Sequence, residues 1–397
     1  MVNASAPANA QPRRMRIIWL SYFFQFAAVG IFYTFINVYL HSTGLSGTQI
    51  GVLNMLAAIA AMISSIGWGY LGDRTGKPRI IIAAGSAGAL LAVQFFPYVN
   101  GFWPLLVIIC LAGLMNSAPM TLLDSTTLVL LGAQREDYGR YRLGGSIGYI
   151  IVTLASGFIF QWTGLKIMFP LYGAVMCALA LTALWLPQAP IHLELPGFTQ
   201  IREMARQPAW FIFIACLFLT WISYNATIMF LGVSLDALGA SASLISLATI
   251  ISAVIEMPFM FFSGAFLRRY GPVRLMTIAM GLMVVRYFLL SQMPSPVWAV
   301  AINVLNGPAF VFFWNSAVTY ANKIAPTHMA GTAQGLLSSA TGLASVISSL
   351  LVGWLFDVLG PRGIFVVLSS LVLVALLVFL SGSLFRKLPT YPVTPAR

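Results

Sequence analysis

Stretches of about twenty apolar residues, each enough to cross a bilayer as a helix, follow one another along almost the whole of this chain. They run near 17–40, 48–71, 79–98, 103–131, 143–163 and 167–187. After a longer break they resume near 209–236, 242–267, 274–292, 296–322, 331–356 and 362–385. Lipid offers a backbone no hydrogen bonds, so every N–H and C=O must be satisfied within the protein. Long apolar runs without strand-like alternation therefore mean helices. Composition agrees, with 59% of residues hydrophobic and 8% charged against about 25% charged in a soluble domain. The predicted fold class is an all-α membrane protein of twelve transmembrane helices.

The formal charge of +12 does not signal a nucleic-acid surface, because the basic residues lie between apolar runs instead of forming one patch. Placing the N-terminus inside puts Arg74, Lys77, Arg79, Arg135, Arg140, Arg202, Arg206, Arg268, Arg269, Arg274, Lys323, Arg386 and Lys387 on the cytoplasmic side. Only Lys166 and Arg362 fall opposite. That asymmetry predicts both termini in the cytoplasm of a cell whose inner (plasma) membrane the chain crosses. Residues 1–16 read as a cytoplasmic tail, and the run after them is too long for a signal peptide and lacks a cleavage site. The three cysteines, Cys110, Cys177 and Cys216, sit inside apolar runs without metal or disulfide spacing. His41, His192 and His328 form no metal constellation. Without a phosphate-binding loop ATP drive is not expected; neither a cofactor nor an enzymatic activity is predicted.

The longest break, Gln188 to Pro208, holds Pro190, Pro196 and Pro208. It reads as a cytoplasmic linker, 188–208, with a short interfacial helix around Phe198 to Arg206. It joins a six-helix bundle at 17–187 to a second at 209–385, and a cytoplasmic tail follows at 386–397. The halves also repeat. Gly69, Asp73, Arg74, Gly76 and Arg79 recur in spacing as Gly264, Arg268, Arg269, Gly271 and Arg274, 195 positions on. Gly157-x-x-Phe160 ending at Gly164 recurs as Gly353-x-x-Phe356 ending at Gly360, 196 positions on. Two nearly equal lags imply a duplicated unit.

Charges inside the apolar runs are few, and each costs at least about 2.5–3.5 kcal/mol in the bilayer, so they are candidates for function. Glu256 lies 12 residues before Arg268 and Arg286 lies 12 after Arg274. On an antiparallel helical hairpin both reach the same depth, ~18 Å from its turn. Asp124 and Arg142 are likewise each nine residues from Ala133. Each half is thus expected to carry one matched carboxylate and guanidinium. Such pairs suit a central cavity in which a solute and an acid compete for an arginine, linking solute binding to protonation. Glu256, the deepest acid and two residues from Pro258, is the predicted proton carrier. Static ion pairs holding helices in register are the alternative, and Arg286 has the further option of reaching outward to the membrane surface. Polar and aromatic residues suited to line a cavity are Gln25, Tyr33, Asn37, Asn54, Asn116, Tyr224, Asn225, Asn303, Asn306, Trp314 and Asn315. Interhelical hydrogen bonding is the competing use of each. The strings Gly144-Gly145-Ser-Ile-Gly148 and Gly331-Thr-Ala-Gln-Gly335 are expected to let helices approach closely.

Gly69-Tyr-Leu-Gly-Asp73-Arg74-Thr-Gly76-Lys77 resembles the loop signature of the major facilitator superfamily. The resemblance implies a conformational latch built on Gly69, Asp73, Arg74 and Gly76, with Asp73 contacting a helix end in the other half. Ala118-Pro119, Asp124 and Tyr138-Gly139-Arg140-Tyr-Arg142 resemble the branch holding lactose permease, phenylpropionate permeases and nucleoside symporters. Glu256-Met-Pro258 and Arg286-Tyr287 resemble its phenylpropionate-permease group. This implies substrate binding by Asp124 and Arg142, and favours Tyr224, Asn225 and Asn306 as cavity-facing residues beside Glu256 and Arg286. The tenth span departs from lactose permease, with Asn303, Asn306 and Ala309 in place of charged residues. The implied function is alternating-access uptake of a small organic solute (sugar, nucleoside or aromatic carboxylate), coupled to protons, by a monomer in the lipid bilayer. An exporter or uniporter is the alternative; a membrane-embedded enzyme or sensor is a further one.

Overall fold

A computed structural model describes residues 11–131, 138–187, 208–325 and 330–384. The expectations for residues 1–10, for most of the linker with its short helix, and for the tail at 386–397 fall outside the described residues, as does the Asp73 side chain. The described chain is helical: α1 (Gln11–Ser42), α2 (Gly47–Thr75), α3 (Pro78–Gln94), α4 (Phe102–Leu131), α5 (Tyr138–Thr163) and α6 (Met168–Leu184). After the linker come α7 (Pro208–Ala237), α8 (Ala242–Gln292), α9 (Trp298–Asn303), α10 (Asn306–Ile324) and α11 (Ala330–Leu384). Among these residues nine helical stretches are long and apolar enough to cross a membrane. Large apolar side chains such as Phe261, Trp162, Trp103 and Phe211 stay more than two-thirds exposed, a surface that suits lipid and not water.

Two helices are interrupted internally. α8 breaks at Gly271 (φ 75°), followed by Pro272, and α11 at Gly360 (φ 73°), followed by Pro361. The glycine takes a left-handed conformation closed to most side chains, and the proline withholds a donor, so the two together end one helix and start the next. These positions belong to the sequence repeat. Left-handed glycines recur as Gly44 and Gly239, Gly76 and Gly271, and Gly164 and Gly360, at lags of 195, 195 and 196 residues. The first of these pairs had no place in the repeat read from sequence.

One expectation is corrected. Asp73 and Arg74 lie in the last turn of α2, not in a loop, since the helix runs on to Thr75 and the turn begins at Gly76 (φ 62°). Within the tenth span, α9 and α10 meet at residues 304–305, which stay in right-handed helical conformation but tighten the turn, Val304 N–H donating to the Ala301 carbonyl and Leu305 N–H to that of Ile302. By its internal contacts the chain also groups into two compact units, 1–45 with 56–194 and 46–55 with 195–397.

In the first unit α1 packs along α5 and α6, and α3 lies against α4 and α6. The glycine string of α5 makes the α1 contact close: a Cβ on Gly148 would strike the backbone carbonyl of Phe23, and one on Gly144 would sit 2.7 Å from that of Trp19. Phe32, Phe96, Phe169 and Tyr172 pack ring on ring beneath it. In the second unit α11 packs on α7 and α8, and α8 also carries α9 and α10.

Candidate functional site

The second unit brings together the groups around which a site can be built. Glu256 and Arg286 lie on the two arms of α8, each 15 residues from the break at Gly271. Each is within electrostatic reach of the other, yet no direct ion pair joins them. Arg286 is instead held by an amide. Its Nε and Nη2 both donate to Asn303 Oδ1, at 3.0 and 2.8 Å. Asn303 is itself fixed from the other arm, its Nδ2 donating to the Ala248 carbonyl at 3.0 Å and its own carbonyl accepting from Ser252 Oγ at 3.3 Å. Asn303 is the last residue of α9, and its amide spans both arms of α8.

This arrangement leaves charge over. Arg286 is 3% exposed, and the amide that grips it is neutral. Its Nη1 makes no hydrogen bond of good geometry to a described residue, and the guanidinium carbon stands 5.2 Å from the Tyr287 ring. A buried guanidinium without a contacting carboxylate is costly and attracts an anion. The outward-reaching option for Arg286 does not hold, because Asn303 draws it inward. Nearby stands a half-buried aromatic group from α7 and α10. Tyr224 stacks on Phe310 at 4.8 Å, and Trp221 lies 5.4 Å from Tyr224 and 5.1 Å from Trp314. Tyr224 is also within electrostatic reach of Arg286. Asn225 donates to the Ser345 carbonyl. Asn306 is buried with its Oδ1 unbonded.

In the first unit the expected Asp124 and Arg142 pair is not a direct ion pair. Asp124 on α4 accepts from the hydroxyls of Tyr22 and Tyr138, at 2.6 and 2.8 Å, both on Oδ1. Two phenols satisfy a half-buried carboxylate without bringing in a second charge. Arg142 remains exposed, its guanidinium carbon 5.7 Å from the Phe26 ring. Of the signature after α2, Gly69 is buried and Arg74 exposed. Among the described residues no group of His, Cys, Asp and Glu is suited to a metal.

Sequence reading missed three partnerships: Asn303 with Arg286, the two tyrosines with Asp124, and Asp357 with the start of α2. Asp357 left one trace. It stands 196 positions after Gln161, an acid where the first half has an amide.

The model of the MFS_1 like family matches residues 16–367. Maltose permease of Geobacillus stearothermophilus is 27% identical over 92% of this chain and 94% of its own length. A protein of Escherichia coli (strain K12) named as a probable 3-phenylpropionic acid transporter is 24% identical over 91% of this chain and 96% of its own. The crystal structure of the nucleoside transporter NupG superposes with a TM-score of 0.81 at 19% identity, covering 93% of this chain and 98% of that one.

Proposed function

Since this chain belongs to the MFS_1 like family of major facilitator transporters, carriers and not enzymes, we propose that it takes up an aromatic carboxylate together with a proton. The observation that carries the substrate class is Arg286, buried, held by a neutral amide beside the Tyr287 ring, and in contact with no carboxylate. A neutral sugar or nucleoside leaves that charge uncompensated. A carboxylate neutralises it, and the Trp221, Tyr224, Phe310 and Trp314 rings offer a face to an aromatic body. The named relatives span a sugar, an aromatic acid and nucleosides; the charge balance favours the acid.

Glu256 is the proposed proton carrier. With Glu256 ionised, it and Arg286 cancel and an anion has little to gain. With Glu256 protonated, Arg286 stands alone and an anion binds. Proton and substrate then bind together and leave together, which is symport. Tyr224, Asn225 and Asn306 complete the proposed binding set of the second unit, and Asp124, held by two tyrosines, and Arg142 are the proposed binding residues of the first.

The same reading covers architecture. Counting α8 and α11 as two spans each, and α9 with α10 as one, gives twelve. The recurring left-handed glycines support two related bundles, 17–187 and 209–385, joined by 188–208 and rocking to expose a site alternately to either side. Basic-residue asymmetry supports cytoplasmic termini in the plasma membrane, with the monomer as the transporting unit. The second reading, a uniporter or exporter, draws on Asn303 and Asn306, neutral where lactose permease carries charge.

A thermal-shift screen on detergent-purified protein tests the substrate class, using 3-phenylpropionate, maltose and uridine as probes. A ligand at a hundred times its Kd stabilises the folded state by about 2.7 kcal/mol. The expected result is a shift with 3-phenylpropionate that vanishes in Arg286→Gln. A shift with maltose or uridine alone, or one that survives Arg286→Gln, contradicts the assignment.

A further inference from the structure

Of the asparagines at the second unit's site, two are committed to the protein itself. Asn303 ties Arg286 to the Ala248 carbonyl, and Asn225 donates to the Ser345 carbonyl. Asn306 is different. It is 6% exposed, and its Oδ1 is buried without a hydrogen-bond partner among the described residues. Although Asn306 opens α10, that oxygen does not accept from the first amides of the helix. A carbonyl oxygen shut away from water without a donor is costly, because folding has removed its hydration and returned nothing.

Its place along α10 indicates where a donor would come from. Asn306, Phe310 and Trp314 follow one another at four-residue steps and so share one face of the helix. Phe310 and Trp314 are the α10 members of the aromatic group, one stacked on Tyr224 and the other packed on Trp221. Three residues before Asn306 stands Asn303, the residue that grips Arg286. The backbone between them stays helical. Along the helix the order is therefore guanidinium clamp, free carbonyl oxygen ~4.5 Å on, and ring face ~6 Å further.

We infer that the acid bound here carries a hydroxyl on the chain between its carboxylate and its aromatic ring, and that Asn306 Oδ1 accepts from that hydroxyl. The inference rests on the aromatic-carboxylate reading and narrows it. The order of groups argues against a ring phenol as the donor, since the ring lies beyond Asn306 and its far edge further still. Charge argues against an ammonium, because a second cation beside the buried Arg286 is repelled. A hydroxyl brings the donor without the charge. Selectivity follows from the same oxygen. A site built to receive a hydroxyl turns away the analogue lacking it, because the plain acid strands Oδ1 where water cannot reach. Arg286 then selects the carboxylate, the rings select the aromatic body, and Asn306 selects what joins them.

Equilibrium binding to the detergent-purified protein tests this. The probes are 3-phenylpropionate, 2-hydroxy-3-phenylpropionate, 3-hydroxy-3-phenylpropionate, 3-(4-hydroxyphenyl)propionate and phenylalanine. At least one of the two chain-hydroxylated acids is expected to bind about tenfold tighter than 3-phenylpropionate, or better. The ring-hydroxylated acid should gain nothing, and phenylalanine should bind most weakly. In Asn306→Leu the preference for the chain hydroxyl should disappear, whatever the affinity that remains. A parent that ranks 3-phenylpropionate level with or above both chain-hydroxylated acids overturns the inference without help from a variant, and leaves the aromatic-acid reading standing. A preference that survives in Asn306→Leu also overturns it. Binding of maltose or uridine with no binding of any acid overturns both.

Discussion

Asn303 shows how one neutral residue sets the electrostatics of a buried site. Its Oδ1 takes two donors from Arg286 while its Nδ2 is tied to the Ala248 carbonyl, so the guanidinium is held still without being neutralised. Asn303→Asp changes one atom in shape and one unit in charge. It gives Arg286 a counter-ion of its own and removes the reason to bind another. Anion affinity is expected to fall roughly tenfold or more, about 1.4 kcal/mol; unchanged affinity by equilibrium binding contradicts this account of Arg286. The positions of Glu256 and Arg286 were legible in the sequence, because a charge in an apolar run stands out and a helix fixes its depth. Their partners were not. Nothing in a sequence tells an asparagine which guanidinium to accept from, and Asp124 bonds to phenols because two tyrosines happen to reach it first.

At the scale of the element, the succession of long apolar helices was the readable part. Lipid permits little besides helices, and Gly-Pro steps at Gly271 and Gly360 mark turns by the same physics in both places. The run of Asp73 and Arg74 into α2 was not readable, since polar residues in the last turn of a helix look like a loop once the apolar run has ended. The tightened turn at 304–305 did leave a trace, since Pro308 has no N–H to donate to the Val304 carbonyl four residues before it. The α1–α5 contact carries a prediction of its own. Gly148→Val places a branched side chain against the Phe23 backbone, which cannot yield as a flexible side chain would. Overpacking of this kind costs about 1–3 kcal/mol. A lower melting temperature is expected, whereas Gly139→Ala, facing open space at the start of α5, should leave it within error; equal melting for both variants would argue against a close α1–α5 approach.

For the whole molecule, the central claim is that protonation of Glu256 and anion binding at Arg286 are one event, so that a proton gradient drives uptake. Glu256→Gln mimics the protonated acid permanently and separates coupling from transport. Proteoliposomes given an inward proton gradient are the direct measurement, with labelled 3-phenylpropionate followed in the parent and in Glu256→Gln. The account predicts accumulation above equilibrium in the parent. It predicts none in the variant, which should still exchange internal for external substrate in counterflow. Accumulation that survives in Glu256→Gln, or a parent that exchanges substrate but never concentrates it under the gradient, would contradict the account.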